Sequence, residues 1–324
     1  MYSFSKLFYE RRIKMDWIFD TQYLVFSGGG VRALAFIGVY HVLQYEFFKR
    51  KLDLSKQIFG YAGCSAGALF ALLLCLGCTL TEMLTEFITF DENQIFSSLN
   101  PSNLFLHWGL DDKMYLVQHL RNILKKYAGN KDITFAELFQ KTQKKLIVCT
   151  VRLNDETVQN FSAEKTPDFL VWRAVSASMA IPVLFSPNFV ESEDVYIDGG
   201  FLNNLPYDVF DLQKTASFLL TRKLPYKIDG LQDYLLRVAY ISTNACNKMH
   251  ISLIPKEHYH RIITIDTGDA SSVNFSLTEQ DKHNIVFIGM QEMNAKFHPT
   301  SEIQTNVIKF VRLLVFFLRS KIEK

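Results

Sequence analysis

Short apolar runs alternate with segments of helical periodicity along the first third of the chain. Residues 23–27, YLVFS, predict a short buried strand that ends at three glycines. Apolar residues then recur at helical spacing in VRALAFIGVYHVLQYEFFK, which predicts a helix starting directly after the glycines. IFGYAG predicts a second strand, and the apolar run from residue 66 predicts a second helix. This β-α-β-α order is typical of a three-layer α/β/α core with a mostly parallel central sheet.

The same alternation continues toward the C-terminus. Further strands are predicted for KKLIVCTVRL, DVYIDGGFLNNLP and RIITIDTGD. Further helices are predicted for DFLVWRAVSASMA and DDKMYLVQHLRNILKKYAG, and Gly129 should end the latter helix. The linker-like stretch KFHPTSE marks a domain edge. The pattern therefore predicts a basic N-terminal segment at 1–21, one α/β domain at 22–297 with its core motifs at 22–211, and a C-terminal amphipathic helix at 298–324.

The C-terminal helix carries a basic stripe beside a wide apolar face. At 100° per residue, Lys309, Arg312 and Arg319 fall within one narrow stripe of NVIKFVRLLVFFLRSKIEK. Its apolar part is about 12 residues, which is too short to span a bilayer. The segment is expected either to lie on a membrane surface or to pack on the core with its basic stripe in solvent.

Composition and charge exclude several classes of protein. With 324 residues, 48% hydrophobic and 21% charged, the chain should be globular. A net charge of +2 gives no basis for nucleic-acid binding. The five cysteines are odd in number and mostly lie in apolar segments, which favours reduced thiols. Neither a signal peptide nor a membrane span is recognisable, so we expect a cytoplasmic protein, with a peripheral place on membranes where the C-terminal helix docks.

Three glycine-rich turns carry the candidate chemistry, and each follows a predicted strand. They are Ser27-Gly28-Gly29-Gly30, Gly63-Cys64-Ser65-Ala66-Gly67 and Asp198-Gly199-Gly200. Because strand carboxyl ends share one crevice in an open α/β sheet, we expect the three turns to converge. Gly63 and Gly67 suit a sharp strand-to-helix elbow that exposes Ser65, and the glycine run offers unobstructed backbone N–H groups.

A serine needs a base within hydrogen-bond reach before it becomes a useful nucleophile. Asp198 is a carboxylate on a tight turn and could accept the Ser65 proton. His107, His119 and His283 are each better explained as surface or core residues than as members of a triad. The sequence therefore points to a serine–aspartate dyad.

Four segments, FSGGGVRALAFIGV, GCSAGAL, SASMAIPVLFSP and YIDGGFLNNLP, resemble the patatin-like phospholipases in order and spacing. The resemblance covers residues 22–211 and implies a lipid acyl hydrolase with a Ser-Asp dyad. It implies that Ser65 is the nucleophile, that Asp198 is the base, and that Gly28, Gly29 and Gly30 supply the oxyanion hole. The supporting positions are Arg32, Gly63, Gly67, Gly199 and Gly200. Ala33 departs from the family by replacing the glycine that usually closes this loop.

Alternatives remain at this point. A dinucleotide-binding turn would need an acidic residue closing the second strand, and Asp53 lies before that strand instead. A non-catalytic membrane-surface adaptor would keep the fold without the reaction, although all three turns retain their chemical residues. Transfer of the acyl group to an alcohol would use the same dyad, and no residue separates it from hydrolysis.

The resemblance predicts an esterase of the phospholipase A or lysophospholipase type that acts on phospholipid or another acyl lipid. Such a mechanism requires no metal or cofactor, and no calcium-binding loop of the D-x-D-x-D-G type is present in the sequence. The headgroup and the acyl position that is cut remain open.

Overall fold

The computed structural model describes residues 15–91, 94, 99–189, 193–222, 228, 230–268 and 277–298. The first 14 residues and the predicted C-terminal helix lie outside the described residues, so those two predictions stay predictions. Met15–Asp20 forms a 3₁₀ helix that buries Ile18 in the main core.

Strands and helices alternate as the sequence predicts. The strands are β1 Tyr23–Phe26, β2 Gly60–Cys64, β3 Gly109–Asp111, β4 Lys145–Arg152, β5 Thr157–Ser162, β6 Val183–Phe185, β7 Asn188–Phe189, β8 Val195–Asp198, β9 Thr215–Thr221 and β10 Ile262–Asp266. The helices are α1 Ala35–Lys49, α2 Leu54–Gln57, α3 Ala66–Cys75, α4 Leu80–Thr89, α5 Pro101–Leu106, α6 Met114–Ala128, α7 Phe135–Thr142, α8 Val171–Ser178, α9 Gly230–Ser252 and α10 Glu279–Phe297. Further 3₁₀ helices span Gly30–Leu34, Gly199–Phe201, Leu212–Lys214 and Lys256–Arg261.

The main sheet is mixed and mostly parallel, with the order β10-β9-β1-β2-β4-β8-β7 and with β5 paired to β4. Alternate residues of β1 point to opposite faces. Leu24 and Phe26 join the larger core cluster with α1, α3 and α10, whereas Val25 joins a second cluster with Ile251 at the end of α9. Helices therefore cover both faces of the sheet, and the predicted three-layer α/β/α architecture is confirmed.

The strand β4 extends beyond its parallel neighbour, and this overhang places the Asp198 turn. Residues 145–149 of β4 pair in parallel with β2, while Thr150, Val151 and Arg152 pair antiparallel with β8. Because β5 occupies the other edge of β4, β2 and β8 lie along the same edge and their C-terminal ends meet head to head. Asp198 therefore reaches the site from the opposite direction to the other two turns, and the three turns converge although β8 runs antiparallel to β4.

Local sequence signals fix the helix ends. Gly129 adopts φ +80° and ends α6, as predicted. Thr79 with Glu82 and Thr134 with Glu137 form capping boxes at the starts of α4 and α7. Among the described residues, none of the helices combines the length and apolar character needed to cross a membrane.

Candidate active site

Ser65 sits at a strained turn between β2 and α3. Its backbone has φ 53° and ψ −132°, a conformation that non-glycine residues rarely adopt. A Cβ at Gly63 would lie 2.3 Å from the carbonyl oxygen of Gly67, and a Cβ at Gly67 would lie 2.4 Å from that of Ser27. Both glycines are therefore required for the elbow to pack against β1.

The backbone of Ser65 is held by a second serine. Its N–H donates to Ser178 Oγ at 2.8 Å, and Ser178 Oγ donates in turn to the carbonyl of Cys149 at 2.6 Å. Ser178 ends α8 and is fully buried. Sequence reasoning did not assign it a role, although it lies within the SASMAIP segment that carries the resemblance.

The glycine loop lies beside Ser65. A Cβ at Gly28 would be 3.0 Å from Ser65 Cβ, and Gly30, at φ +56°, lines the same pocket as Ser65. The N–H of Gly28 donates to the carbonyl of Asn204 at 3.1 Å. Within the part of the chain that the structure describes, no hydrogen-bond acceptor takes the N–H of Gly29 or Gly30. Two of the three glycine amides therefore make no hydrogen bond within the described residues.

Arg32 and Ala33 hold the loop in place. Arg32 is buried and its Nη1 donates to Thr267 Oγ1 at 3.4 Å, which ties the loop to the end of β10. Ala33 is fully buried in the main core, so its methyl group is accommodated where the family usually has glycine.

Asp198 is a buried carboxylate whose Oδ1 has two hydrogen-bond donors. Its Oδ1 accepts the Gly200 N–H at 2.7 Å and the Cys64 thiol at 3.6 Å. The Ser65 side chain also lowers the pKa of this carboxyl. Burial raises the pKa of Asp198 to about 6, and the donors, led by Ser65, oppose that rise. The carboxylate is therefore a stronger base than a solvated aspartate.

Gly199 allows the Asp198 turn to approach β4, and Asn204 joins that turn to the glycine loop. A Cβ at Gly199 would lie 2.4 Å from the carbonyl oxygen of Cys149. Asn204 Nδ2 donates to the carbonyl of Gly28 at 3.3 Å, and the Asn204 backbone N–H donates to Asn247 Oδ1 on α9 at 3.1 Å. Sequence reasoning missed this bridge, although the two asparagines of YIDGGFLNNLP lie in the same segment as the aspartate.

An apolar pocket of about 740 Å³, counting space open to solvent, extends from Ser65. Its lining is mainly aliphatic and aromatic and includes Leu34, Leu69, Phe87, Phe90, Leu116 and Phe185. Glu86 and His119 are the ionisable residues in the lining. Glu86 accepts hydrogen bonds from Lys126 Nζ at 2.7 Å and Tyr127 OH at 2.8 Å, and burial lowers the pKa of His119. A pocket with this apolar lining suits a hydrocarbon chain.

The convergence that the sequence predicts is therefore found: Ser65, Asp198 and the glycine loop share one site. Of the three histidines considered, His119 lines the pocket but makes no described hydrogen bond to Ser65 or Asp198. Across the described residues, no group of three His, Cys, Asp or Glu side chains is placed to hold a metal ion.

A family model described as patatin-like phospholipase matches residues 24–211. The chain is 29% identical over 290 residues to a protein of Invertebrate iridescent virus 6 named "Probable lipid hydrolase", a match that covers 88% of this chain and 91% of the relative. It is 26% identical over 284 residues to an uncharacterised protein of Acanthamoeba polyphaga mimivirus, covering 83% of this chain and 91% of the relative. The crystal structure of VipD from Legionella pneumophila is similar in fold, with a TM-score of 0.53 at 15% identity over 86% of this chain and 67% of VipD.

Proposed function

Because this chain belongs to the patatin-like phospholipase family and is a hydrolase acting on ester bonds, we propose that it cleaves the carboxylic esters of membrane lipids through Ser65 and Asp198. The substrate would be a phospholipid or lysophospholipid whose acyl chain enters the apolar pocket beside Ser65. The observation that carries the proposal is the convergence of Ser65, the buried Asp198 carboxylate and the glycine loop at one apolar pocket.

In the first step, Asp198 takes the Ser65 proton while Ser65 Oγ bonds to the ester carbonyl carbon. Negative charge develops on the carbonyl oxygen, which the N–H groups of Gly29 and Gly30 stabilise together with the N-terminal end of α3. Gly28 shapes this loop, because its own N–H is engaged by Asn204. The intermediate collapses by breaking the ester C–O bond, and the proton on Asp198 passes to the leaving alcohol.

In the second step, water attacks the acyl-enzyme while Asp198 accepts a proton from it. The acyl–Ser65 bond then breaks, the fatty acid leaves, and the proton returns to Ser65 Oγ. A base with a pKa of about 6 supports both steps near neutral pH, since it is ionised yet more basic than a solvated aspartate.

Free fatty acid release from phospholipids, lysophospholipids and triacylglycerols tests the proposal. Ser65→Ala and Asp198→Asn should each remove nearly all hydrolysis, and the double variant should be little worse, because residues that act as a unit fail non-additively. Ser217→Ala, which removes a buried hydroxyl from β9, is the matched control and should retain activity. Additive losses, or full activity in Ser65→Ala, would exclude the dyad.

A further inference from the structure

An exposed apolar surface adjoins the mouth of the acyl pocket. We call it the rim patch; its members are Phe105, Leu106, Trp108, Met114 and Val183, all exposed. Phe105 is 84% exposed and Trp108 is 57% exposed, which is unusual for aromatic side chains of this size. Isolated exposed apolar residues need no explanation, but five on neighbouring elements do.

Backbone pairing brings these residues together. Trp108 precedes Gly109, which pairs in parallel with Val183 across β3 and β6. The short helix α5, which ends at Leu106, is tied to β3 because the N–H of Asn100 donates to the carbonyl of Leu110 at 3.0 Å. The rim patch is therefore presented by hydrogen-bonded elements.

The rim patch is continuous with the pocket. Val183 lies between Ile181 and Phe185, which both line the pocket, and the Phe185 N–H donates to the carbonyl of Ile181 at 2.8 Å. Met114 begins α6, and Leu116 of the same turn also lines the pocket. The acyl chain of a lipid that moves from a lipid layer across the rim patch into the pocket would thus stay in contact with apolar groups throughout.

The charge pattern indicates what kind of surface fits. Within residues 99–116 and 181–188, all described, the charged side chains are Asp111 and Lys113, which are buried, and Asp112, which is exposed. The rim patch therefore presents apolar and aromatic side chains without an exposed Lys or Arg. Tryptophan and phenylalanine favour the boundary between water and hydrocarbon.

We infer that the rim patch inserts into the surface of a neutral, zwitterionic lipid layer and sets the pocket mouth against that surface. This inference rests on the proposed function, because it assumes that the pocket receives a lipid acyl chain. Insertion of apolar side chains depends little on ionic strength, whereas attraction between a basic segment and anionic lipid is screened by salt.

The test measures co-sedimentation with phosphatidylcholine vesicles, in a Ser65→Ala background so that the vesicles are not consumed. Phe105→Ser with Leu106→Ser should lower the partition coefficient at least about tenfold, because each side chain loses its apolar burial. Phe48→Ser is the matched control, because Phe48 is also an exposed aromatic residue, at 76%. It lies near the C-terminal end of α1, whereas the glycine loop lies at the other end of that helix. Its binding should equal that of the parent, and binding of the parent should persist in high salt.

Several outcomes would overturn the inference: unchanged vesicle binding in the double variant, an equal loss in Phe48→Ser, or loss of the parent's binding in high salt. Conversion of a dimer to a monomer by the double variant would assign the rim patch to a second copy of the chain instead.

Hydrolysis of a soluble short-chain ester, with Ser65 restored, separates this inference from the proposed function. The double variant should hydrolyse the short-chain ester at a rate within about twofold of wild type. A dissolved ester reaches the pocket without binding to a lipid surface, so the apolar burial lost in the variant does not matter. If wild type fails on that ester and on lipid while still binding vesicles, the proposed function is wrong and the docking surface stands.

Discussion

Asp198 depends on its burial for its strength as a base. In the proposed mechanism the carboxylate must be ionised to accept the Ser65 proton. Because burial raises its pKa to about 6, kcat/KM for a soluble ester should rise through pH 6 and level off above it. Removing the Cys64 thiol, which donates to Asp198 Oδ1, should raise that pKa further. Cys64→Ala should therefore move the acid limb of the pH–rate profile to higher pH.

Cys64→Ser provides the control for that profile, because a hydroxyl can still donate to the carboxylate. We expect its acid limb to lie closer to that of wild type than the limb of Cys64→Ala does. A Cys64→Ala profile that shifts to lower pH, or does not shift, would contradict this role of the thiol. Folding of both variants can be checked by circular dichroism.

At the residue scale, the sequence predicted the groups whose position follows from local turns. Ser65 and the glycines at positions 63 and 67 form a local pattern, so a strained elbow could be expected there. Ser178 and Asn204 act through hydrogen bonds to residues more than 100 positions away, and no local pattern encodes such a partner.

At the element scale, the strand order around Asp198 could not be read from the chain. The run VYID has the same apolar pattern whether it pairs in parallel or antiparallel. Only the overhang of β4, three residues beyond its pairing with β2, creates the antiparallel place that β8 occupies. By contrast, the parallel pairing of β1 and β2 was predictable, because a helix connects the two strands.

One wall of the pocket is held by a lysine from another helix. Lys282 on α10 is buried, and its Nζ donates to the carbonyls of Phe87, Ile88 and Phe90 at the end of α4, at 3.2–3.4 Å. Because Phe87 and Phe90 line the pocket, Lys282→Met should loosen that wall. We expect KM for a long-chain ester to rise roughly three- to tenfold, in line with losing one ordinary hydrogen bond of about 0.5–1.5 kcal/mol.

A comparison of chain lengths checks this positioning role. KM for a short-chain ester should change little in Lys282→Met, because a short chain does not reach the wall. Lys296→Met, an exposed position on the same helix, is the matched control. Equal changes in KM for both esters would indicate general disruption and contradict the prediction.

The helices α1 and α10 touch through their backbones. A Cβ at Gly38 would lie 2.1 Å from the carbonyl oxygen of Val286, and a Cβ at Gly289 would lie 2.0 Å from that of Ala35. Gly289→Ala should therefore force the helices apart and lower the free energy of unfolding by about 1–3 kcal/mol, as overpacking does. Urea unfolding measures this, with Gln291→Ala as the comparison on α10; equal midpoints for the two variants would contradict the prediction.

At the scale of the whole molecule, the basic C-terminal helix stays a prediction, because residues 299–324 lie outside the described residues. The described fold closes just before it, where His298 Nε2 and Glu46 Oε1 lie 2.9 Å apart. Truncation after Ser301 should therefore leave hydrolysis of soluble esters intact while lowering binding to anionic vesicles. In high salt the difference in vesicle binding between the full-length and truncated proteins should shrink, because salt screens the basic residues. Aggregation or unfolding of the truncated protein would assign the helix to the core instead.

The overall architecture was predictable because its signals repeat along the chain. Strand, glycine turn and helix recur in the first 75 residues, which is enough to indicate a three-layer α/β core. The strand β9 was not anticipated, although all but the last residue of TASFLLT are buried. It follows a polar stretch without a glycine turn, and its place beside β1 is set by distant pairing.

That distant pairing has a consequence for the order in which the protein becomes active during its synthesis. The glycine loop is anchored when the N–H of Ser27 donates to the carbonyl of Phe218 and the N–H of Leu220 donates to Ser27 Oγ, both at 3.0 Å. These partners emerge roughly 190 residues after β1, which is on the order of ten seconds or more of translation. A ribosome-bound chain that already displays Ser65 therefore lacks its anchored glycine loop, and we expect ester hydrolysis to begin only after β9 has been released.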